Sequence, residues 1–239
     1  MIHDLVICVS DLHIPFHHPD AFKFLKAIKA KYWAKAKNPI IVIGGDELTW
    51  SSLSFHDKNP SMPNGELEYK LSLLPITELY KIFPKAKVLE SNHGSLLYRK
   101  GKHHGIAKDL LKHYNEILQI PRSDWQWHRD LILDLGDVGK AYFCHGRASD
   151  VTKLSQLMGM NVIQFHYHEK FKIEYWGTTV GYKWAMQCGC LIDNNSDEFE
   201  YNRLNLKTPI IGTGVIVKGT PILHQMVLDQ KGRWNGVLI

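Results

Sequence analysis

Five short clusters of chemically capable side chains punctuate the first two thirds of the sequence: Asp11-Leu12-His13, Gly45-Asp46, Asn92-His93, His145-Gly146 and His166-Tyr167-His168. Carboxylates and imidazoles together suit Mn, Fe, Ni or Zn, and the imidazole share argues against a site built for Mg or Ca alone. Taken singly the clusters are weak signals. Asp-x-His is commonly a turn with a surface histidine, Gly-Asp is a common turn, and a lone histidine is commonly a satisfied polar residue.

What separates these clusters from ordinary turns is the kind of segment each one ends. Leu5-Val6-Ile7-Cys8-Val9 runs into Asp11, Pro39-Ile40-Ile41-Val42-Ile43 into Gly44-Gly45-Asp46, and Ala86-Lys87-Val88-Leu89-Glu90 into Ser91-Asn92-His93. Leu131–Leu135 and Lys140–Cys144 bracket Gly136-Asp137-Val138-Gly139 as an antiparallel hairpin that delivers His145. Asn161–Phe165 delivers His166 and His168. Short β-branched runs alternating with helical patterns predict a layered α/β architecture. The helices expected are one after Pro19-Asp20, with Phe22, Leu25, Ile28 and Trp33 near one face, one from about Glu66 to Phe83, and a short one from about Asp150 to Met158. Ser51 to Gly65 reads as a loop, and Gly212–Val217 and Pro221–Leu223 as further strands. Ligands of open α/β sheets collect at the C-terminal ends of strands, so five strand ends are expected to face one crevice.

The order Asp-x-His, Gly-Asp, Asn-His, His-Gly, His-x-His resembles the five-block signature of the calcineurin-like metallophosphoesterases, over about residues 7 to 168. The resemblance implies a four-layer α/β/β/α sandwich with mixed sheets and a dinuclear metal centre at strand C-terminal ends. It implies Asp46 as the bridging carboxylate, Asp11, His13 and His168 completing one site, and Asn92, His145 and His166 the other. It also implies that His93 faces the substrate and protonates the leaving oxygen or stabilises the transition state. Expected cofactors are two divalent transition-metal ions, with Mn first and Fe, Ni or Zn as the other candidates. The expected activity is hydrolysis of phosphate esters, leaning toward a nucleic-acid or nucleotide phosphodiester such as DNA. The alternatives are a protein or small-molecule phosphomonoesterase and a metal-bearing binding protein without turnover. Four positions depart from the family pattern. Thr49 stands where a second Asp is usual, Ser91 and Gly94 flank Asn92-His93 where Gly and an acid are usual, and Phe165 precedes the last block in place of Gly. The missing acid removes the usual orienting partner of His93, a part Glu47 or another carboxylate could take.

Around this set, Arg99 and Arg147 each follow a ligand block closely and are expected to grip phosphate through their guanidinium forks. His17, His18, His56, His103 and His104 read as solvated loop histidines. Lys23, Lys26, Lys29, Lys31, Lys35 and Lys37, interleaved with Tyr32 and Trp33, read as a solvated face over a core stripe, with a nucleic-acid surface as the alternative. No P-loop, dinucleotide cradle, Gly-x-Ser-x-Gly elbow or reactive-cysteine motif occurs. Composition sets the frame. With 239 residues, 44% hydrophobic and 22% charged, the sequence has the make-up of one globular domain spanning 1–239. A net charge of +5 favours anionic partners. Cys8 and Cys144 sit in apolar runs, and Cys188 and Cys190 lack the second pair a zinc site would need, so all four are expected as structural thiols of a reducing cytoplasm. The N-terminus has no cationic start or cleavage site, and no apolar stretch approaches the roughly 20 residues that span a bilayer, so no membrane role is expected.

Overall fold

A computed structural model describes residues 1–55, 60–179, 181–196, 198–199 and 207–238; His56 lies outside them. Two mixed sheets carry the molecule. The first contains β1 (Leu5–Val9), β2 (Pro39–Ile43), β3 (Ala86–Leu89), β4 (Trp125–His128), β10 (Gly212–Val217) and β11 (Thr220–Gln225), in the order β11-β10-β1-β2-β3-β4. The second contains β5 (Leu131–Asp134), β6 (Lys140–Cys144), β7 (Asn161–Gln164), β8 (Phe171–Thr178) and β9 (Gly181–Cys188), in the order β5-β6-β7-β9-β8. The helices are α1 (Ala21–Tyr32), α2 (Gly65–Ile82), α3 (Leu96–His103), α4 (Tyr114–Ile117) and α5 (Val151–Met158).

The layering follows from period-two side-chain alternation in strands buried on both faces. In β1, Leu5, Ile7 and Val9 pack with Phe24, Leu25 and Ile28 of α1 and Ile76 and Leu79 of α2. Val6 and Cys8 point the other way, into a core shared with Leu133, Phe143, Ile163, Trp184 and Met186 of the second sheet. The far face of that sheet is covered by α5, through Tyr142, Cys144, Val162 and Val151. The two sheets therefore face each other with helices on their outer sides, an α/β sandwich.

Within this frame β1, β2, β3 and β4 are parallel, and β6 is parallel to β7. The expected hairpin is present, β5 pairing antiparallel with β6 from Leu131↔Phe143 to Asp134↔Lys140. Its turn uses Gly136 and Gly139 at φ +77° and +84°. Helix α5 is bounded as its sequence suggests, by the Asp150 carboxylate accepting from Lys153 N–H at 3.0 Å and by Gly159 at φ +64°. Between the last ligand block and β10, two strands with no clear sequence signal, β8 and β9, pair antiparallel from Phe171↔Cys188 to Thr178↔Gly181. All four cysteines are buried and unpaired.

One expectation about α1, the place of Trp33, needs correction. Helix α1 follows Pro19-Asp20 as expected, and the Asp20 carboxylate is held by Arg233 at 2.5 and 2.7 Å and by Trp234 N–H at 3.0 Å, which ties the C-terminal segment to the body. Trp33 falls in a short 3₁₀ turn beyond α1, only half-buried. His18 is also not solvated. It is buried, bonded to the carbonyl of Gly232 at 3.0 Å and to Asp20 N–H at 3.1 Å. On the exposed side of α1, Lys26 pairs with Glu78 at 2.8 Å and Lys29 donates to the Ile82 carbonyl at 2.6 Å. That is the behaviour of a solvated face spanning two helices. Among the described residues, no helix is long and apolar enough to cross a membrane.

Candidate metal centre

The ends of β1, β2, β3, β6 and β7 converge, and their loops bring Asp11, His13, Asp46, Asn92, His93, His145, His166 and His168 together. Three groups have ligand-type atoms within 4.8 Å of one another: Asp11 with His13 and His168, His13 with Asp46 and His93, and Asp46 with His145 and His166. Asp46 and His13 are shared between groups. One Asp46 oxygen, Oδ2, lies 3.1 Å from His145 Nε2 and 3.4 Å from His13 Nε2. A carboxylate oxygen between two imidazole sets is where a bridging ligand would stand.

The backbone is bent to achieve this. His13, Asp46 and His166 adopt left-handed φ of +50°, +46° and +76°, a conformation that costs on the order of 1–3 kcal/mol per non-glycine residue. Gly45, at φ +95°, admits no side chain, because a Cβ there would lie 2.6 Å from Ser91 Cβ and 2.9 Å from His145 Nδ1. Ser91 has a local role that explains a serine at this position. Its hydroxyl accepts from Asp46 N–H at 2.9 Å and Gly94 N–H at 3.0 Å, locking the turns after β2 and β3 to each other. Gly94 follows from that lock, since a Cβ at this position would come within 2.8 Å of the Ser91 hydroxyl. Phe165 fills the space above Gly44, where a Cβ would meet its ring at 2.3 Å. Ser91 and Gly94 are thus one repacked turn.

Three of the imidazoles, His145, His13 and His93, are held through Nδ1, as metal-binding histidines commonly are held by their second nitrogen. His145 Nδ1–H donates to the Gly44 carbonyl at 2.9 Å, which turns Nε2 toward Asp46 and toward Asn92 Oδ1 at 2.7 Å. His168 Nε2 lies 3.2 Å from Asp11 Oδ2, which also accepts from His166 N–H at 3.0 Å. His13 Nδ1 is 3.1 Å from the Thr49 hydroxyl. His93 Nδ1 bonds the Thr49 carbonyl, and its backbone N–H donates to Asp46 Oδ1 at 3.1 Å. Asn92 is exposed and His93 half-buried, so this side of the cluster opens to solvent.

The electrostatics leave donor atoms open to a cation. Asp11 Oδ1 and His13 Nε2 are buried without a hydrogen-bond partner of normal geometry; the 3.4 Å approach of His13 to Asp46 is longer than an ordinary hydrogen bond. Burial pushes His13 down to about 4 against the pull of Asp46, leaving a neutral imidazole with a free lone pair. Burial likewise lowers His166, reinforced by His145. For Asp46 burial alone would raise the pKa, but His145 and His93 outweigh it and hold the carboxyl well below its usual range. Burial also opposes the charge on His145, yet Asp46 and Asp11 raise it to about 9. The proton on His145 balances the carboxylates, and a divalent cation would displace it. These donors, orphaned, buried and of mixed carboxylate and imidazole type, fit a transition metal.

Other residues fall differently. The Arg147 guanidinium is bound bidentately by Asp130, at 2.7 Å to both oxygens, so it is already committed. Arg99 is exposed on α3 and lies over the Phe55 ring at 5.2 Å, with Lys100 3.9 Å from the same ring. Glu47 is buried with both oxygens unpartnered, and burial pushes it up to about 7. Two contributors had no sequence signal. Glu198 accepts a hydrogen bond from the Thr49 hydroxyl at 3.1 Å, and burial raises its carboxyl to about 7 despite Thr49 and His93. Phe199 packs edge-on against His13 at 5.4 Å and His168 at 6.3 Å.

No family model and no curated protein matches this chain. Among solved structures it is similar to NAD nucleotidase (NadN) of Haemophilus influenzae, with 11% identity and a TM-score of 0.43, over 99% of this chain and 54% of that one. The chain therefore spans about half the length of that protein.

Proposed function

We propose that this protein hydrolyses phosphate esters at a dinuclear metal centre, with Asp46 bridging, Asp11, His13 and His168 on one ion and Asn92, His145 and His166 on the other. The observation that carries this reading is the Asp46 carboxylate set between two imidazole groups, beside the buried and unpartnered Asp11 Oδ1 and His13 Nε2. Two such ions would polarise the phosphoryl oxygens and activate the attacking water. The chain's own residues do the rest. His93, its Nδ1 committed to the Thr49 carbonyl, is free to protonate the leaving oxygen from Nε2. Asp46 Oδ1 fixes the His93 backbone. Arg99, exposed and without a carboxylate partner among the described residues, is the substrate-side cation, and Arg147 serves by holding Asp130. The domain is read as a single unit over 1–239.

A phosphodiester of nucleic-acid or nucleotide type is the favoured substrate, on the net charge of +5 and the cations of α3, Arg99, Lys100 and Lys102. Mn-loaded protein should be assayed against an aryl phosphate monoester, its bis-aryl diester, cyclic nucleotides and single- and double-stranded DNA. Turnover is expected, faster on the diester than on the monoester. Faster monoester cleavage would overturn the diester assignment. Bound metal with no turnover on any of them would instead make the protein a metal-bearing binding module.

A further inference from the structure

Position 49 has lost the acid that the surrounding motif leads one to expect, and so has position 94, yet a carboxylate arrives from 149 residues away. We propose that Glu198 is a positioning residue for His13, acting through the Thr49 hydroxyl, and that Glu198 with Phe199 clamps the His13 ring. The inference deepens the proposed function and rests on it for what His13 is positioned to hold.

The argument begins with the single proton of a hydroxyl. Thr49 Oγ1–H donates to Glu198 Oε1 at 3.1 Å, so toward His13 Nδ1, also 3.1 Å away, the same oxygen can only accept. With Glu198 ionised, this arrangement places the His13 proton on Nδ1. Its Nε2 is left as a lone pair, and this is the buried nitrogen with no hydrogen-bond partner, facing Asp46 Oδ2 at 3.4 Å. A carboxylate behind a hydroxyl behind an imidazole is a longer version of the usual outer partner that sets the tautomer of a liganding histidine. A threonine alone would not do this. Without Glu198 the hydroxyl proton could turn to His13 Nδ1, moving the imidazole proton to Nε2 and blocking the ligand position.

Packing at the next residue supports the same assignment independently. Phe199 is 1% exposed and sets its ring edge-on against both His13 and His168, in a small core with Cys190 and Ile192. Neighbouring residues thus fix His13 from two sides, Phe199 by contact with the ring and Glu198 through its Nδ1 proton. Thr49 also holds His93 through its backbone carbonyl, so displacing Thr49 would disturb both imidazoles. The restraint is needed because His13 sits at φ +50°, a conformation that only its surroundings keep in place.

The test uses full-length protein carrying Glu198→Ala, Thr49→Val or Thr49→Ser, at pH 8.5 where the Glu198 carboxylate is ionised. The His13 tautomer is read in metal-free protein from imidazole ¹⁵N shifts, Mn²⁺ affinity by titration calorimetry, and folding from thermal melts. Wild type and Thr49→Ser are expected to hold His13 as the Nδ1–H tautomer. Glu198→Ala and Thr49→Val are expected to mix the tautomers and to weaken Mn²⁺ binding about 10–100-fold, the usual loss for an outer partner. If Thr49→Val fails to fold, Glu198→Ala decides alone. A Glu198→Ala protein with wild-type tautomer and wild-type Mn²⁺ affinity overturns the proposal. A wild type that binds no Mn²⁺ but shows the tautomer shift on Glu198→Ala would overturn the metal-centre reading and leave the relay standing.

Discussion

Asp46→Asn is expected to lower turnover about a thousandfold, equivalent to about 4 kcal/mol at 1.36 kcal/mol per tenfold, the upper end of the cost of deleting one preorganised electrostatic group. The substitution keeps the shape and removes the charge. That charge is held below the usual carboxylate range, against the cost of burial, by His145 and His93, and the same side chain contacts His13 and His145 while accepting the His93 amide. Both metal sites should weaken together, since one carboxylate serves both. Steady-state kinetics with Mn titration checks this, with Asp137→Asn, on the β5–β6 turn, as the control. A rate within a factor of about three of wild type would remove Asp46 from the centre.

The second large effect separates two roles for His93. Its ring centroid lies 4.6 Å from that of His13, and it forms a ligand-type group with His13 and Asp46, so proximity alone permits either a ligand or an acid. If it is the acid, His93→Ala should retain both metals and slow catalysis about 10²–10⁴-fold. The deficit should shrink for substrates with a good leaving group, which need little protonation. His145→Ala should lose metal outright, because its Nε2 reaches both Asn92 and Asp46. Metal content and rate for both variants, each with a poor and a good leaving group, decide between the roles. Loss of metal in His93→Ala, or an equal deficit for every leaving group, would make His93 a ligand or a structural residue.

The parts of this molecule legible in its sequence are the ones governed by local pattern. Apolar runs such as Leu5–Val9 and Pro39–Ile43 announce strands buried on both faces, and the chemical side chains following them mark the edge where the site forms. The hairpin β8–β9 was missed because it has mixed character. Lys172 and Glu174 alternate with Ile173 and Tyr175, the outer strand is only half-buried, and the Thr178–Gly181 connection lacks an Asn-Gly or Asp-Gly turn. Ser91 and Gly94 look like losses when read along the chain. In three dimensions they are a hydroxyl and the space it needs. The Thr49–Glu198 bond spans 149 residues, and no periodicity or spacing foretells a contact of that kind. His18 misled for the same reason, since its partner Gly232 lies 214 residues away.

Metal content measures directly, without assuming any substrate, whether these side chains hold two metal ions. Protein stripped with chelator, incubated with excess Mn²⁺ or Ni²⁺ and desalted should retain about two equivalents per chain by elemental analysis, as a two-metal hydrolytic centre requires. Asp46→Asn should reduce that number, while Asp137→Asn should leave it unchanged. Retention below about one equivalent by the wild-type protein would contradict a dinuclear centre built on Asp11, His13, Asp46, Asn92, His145, His166 and His168.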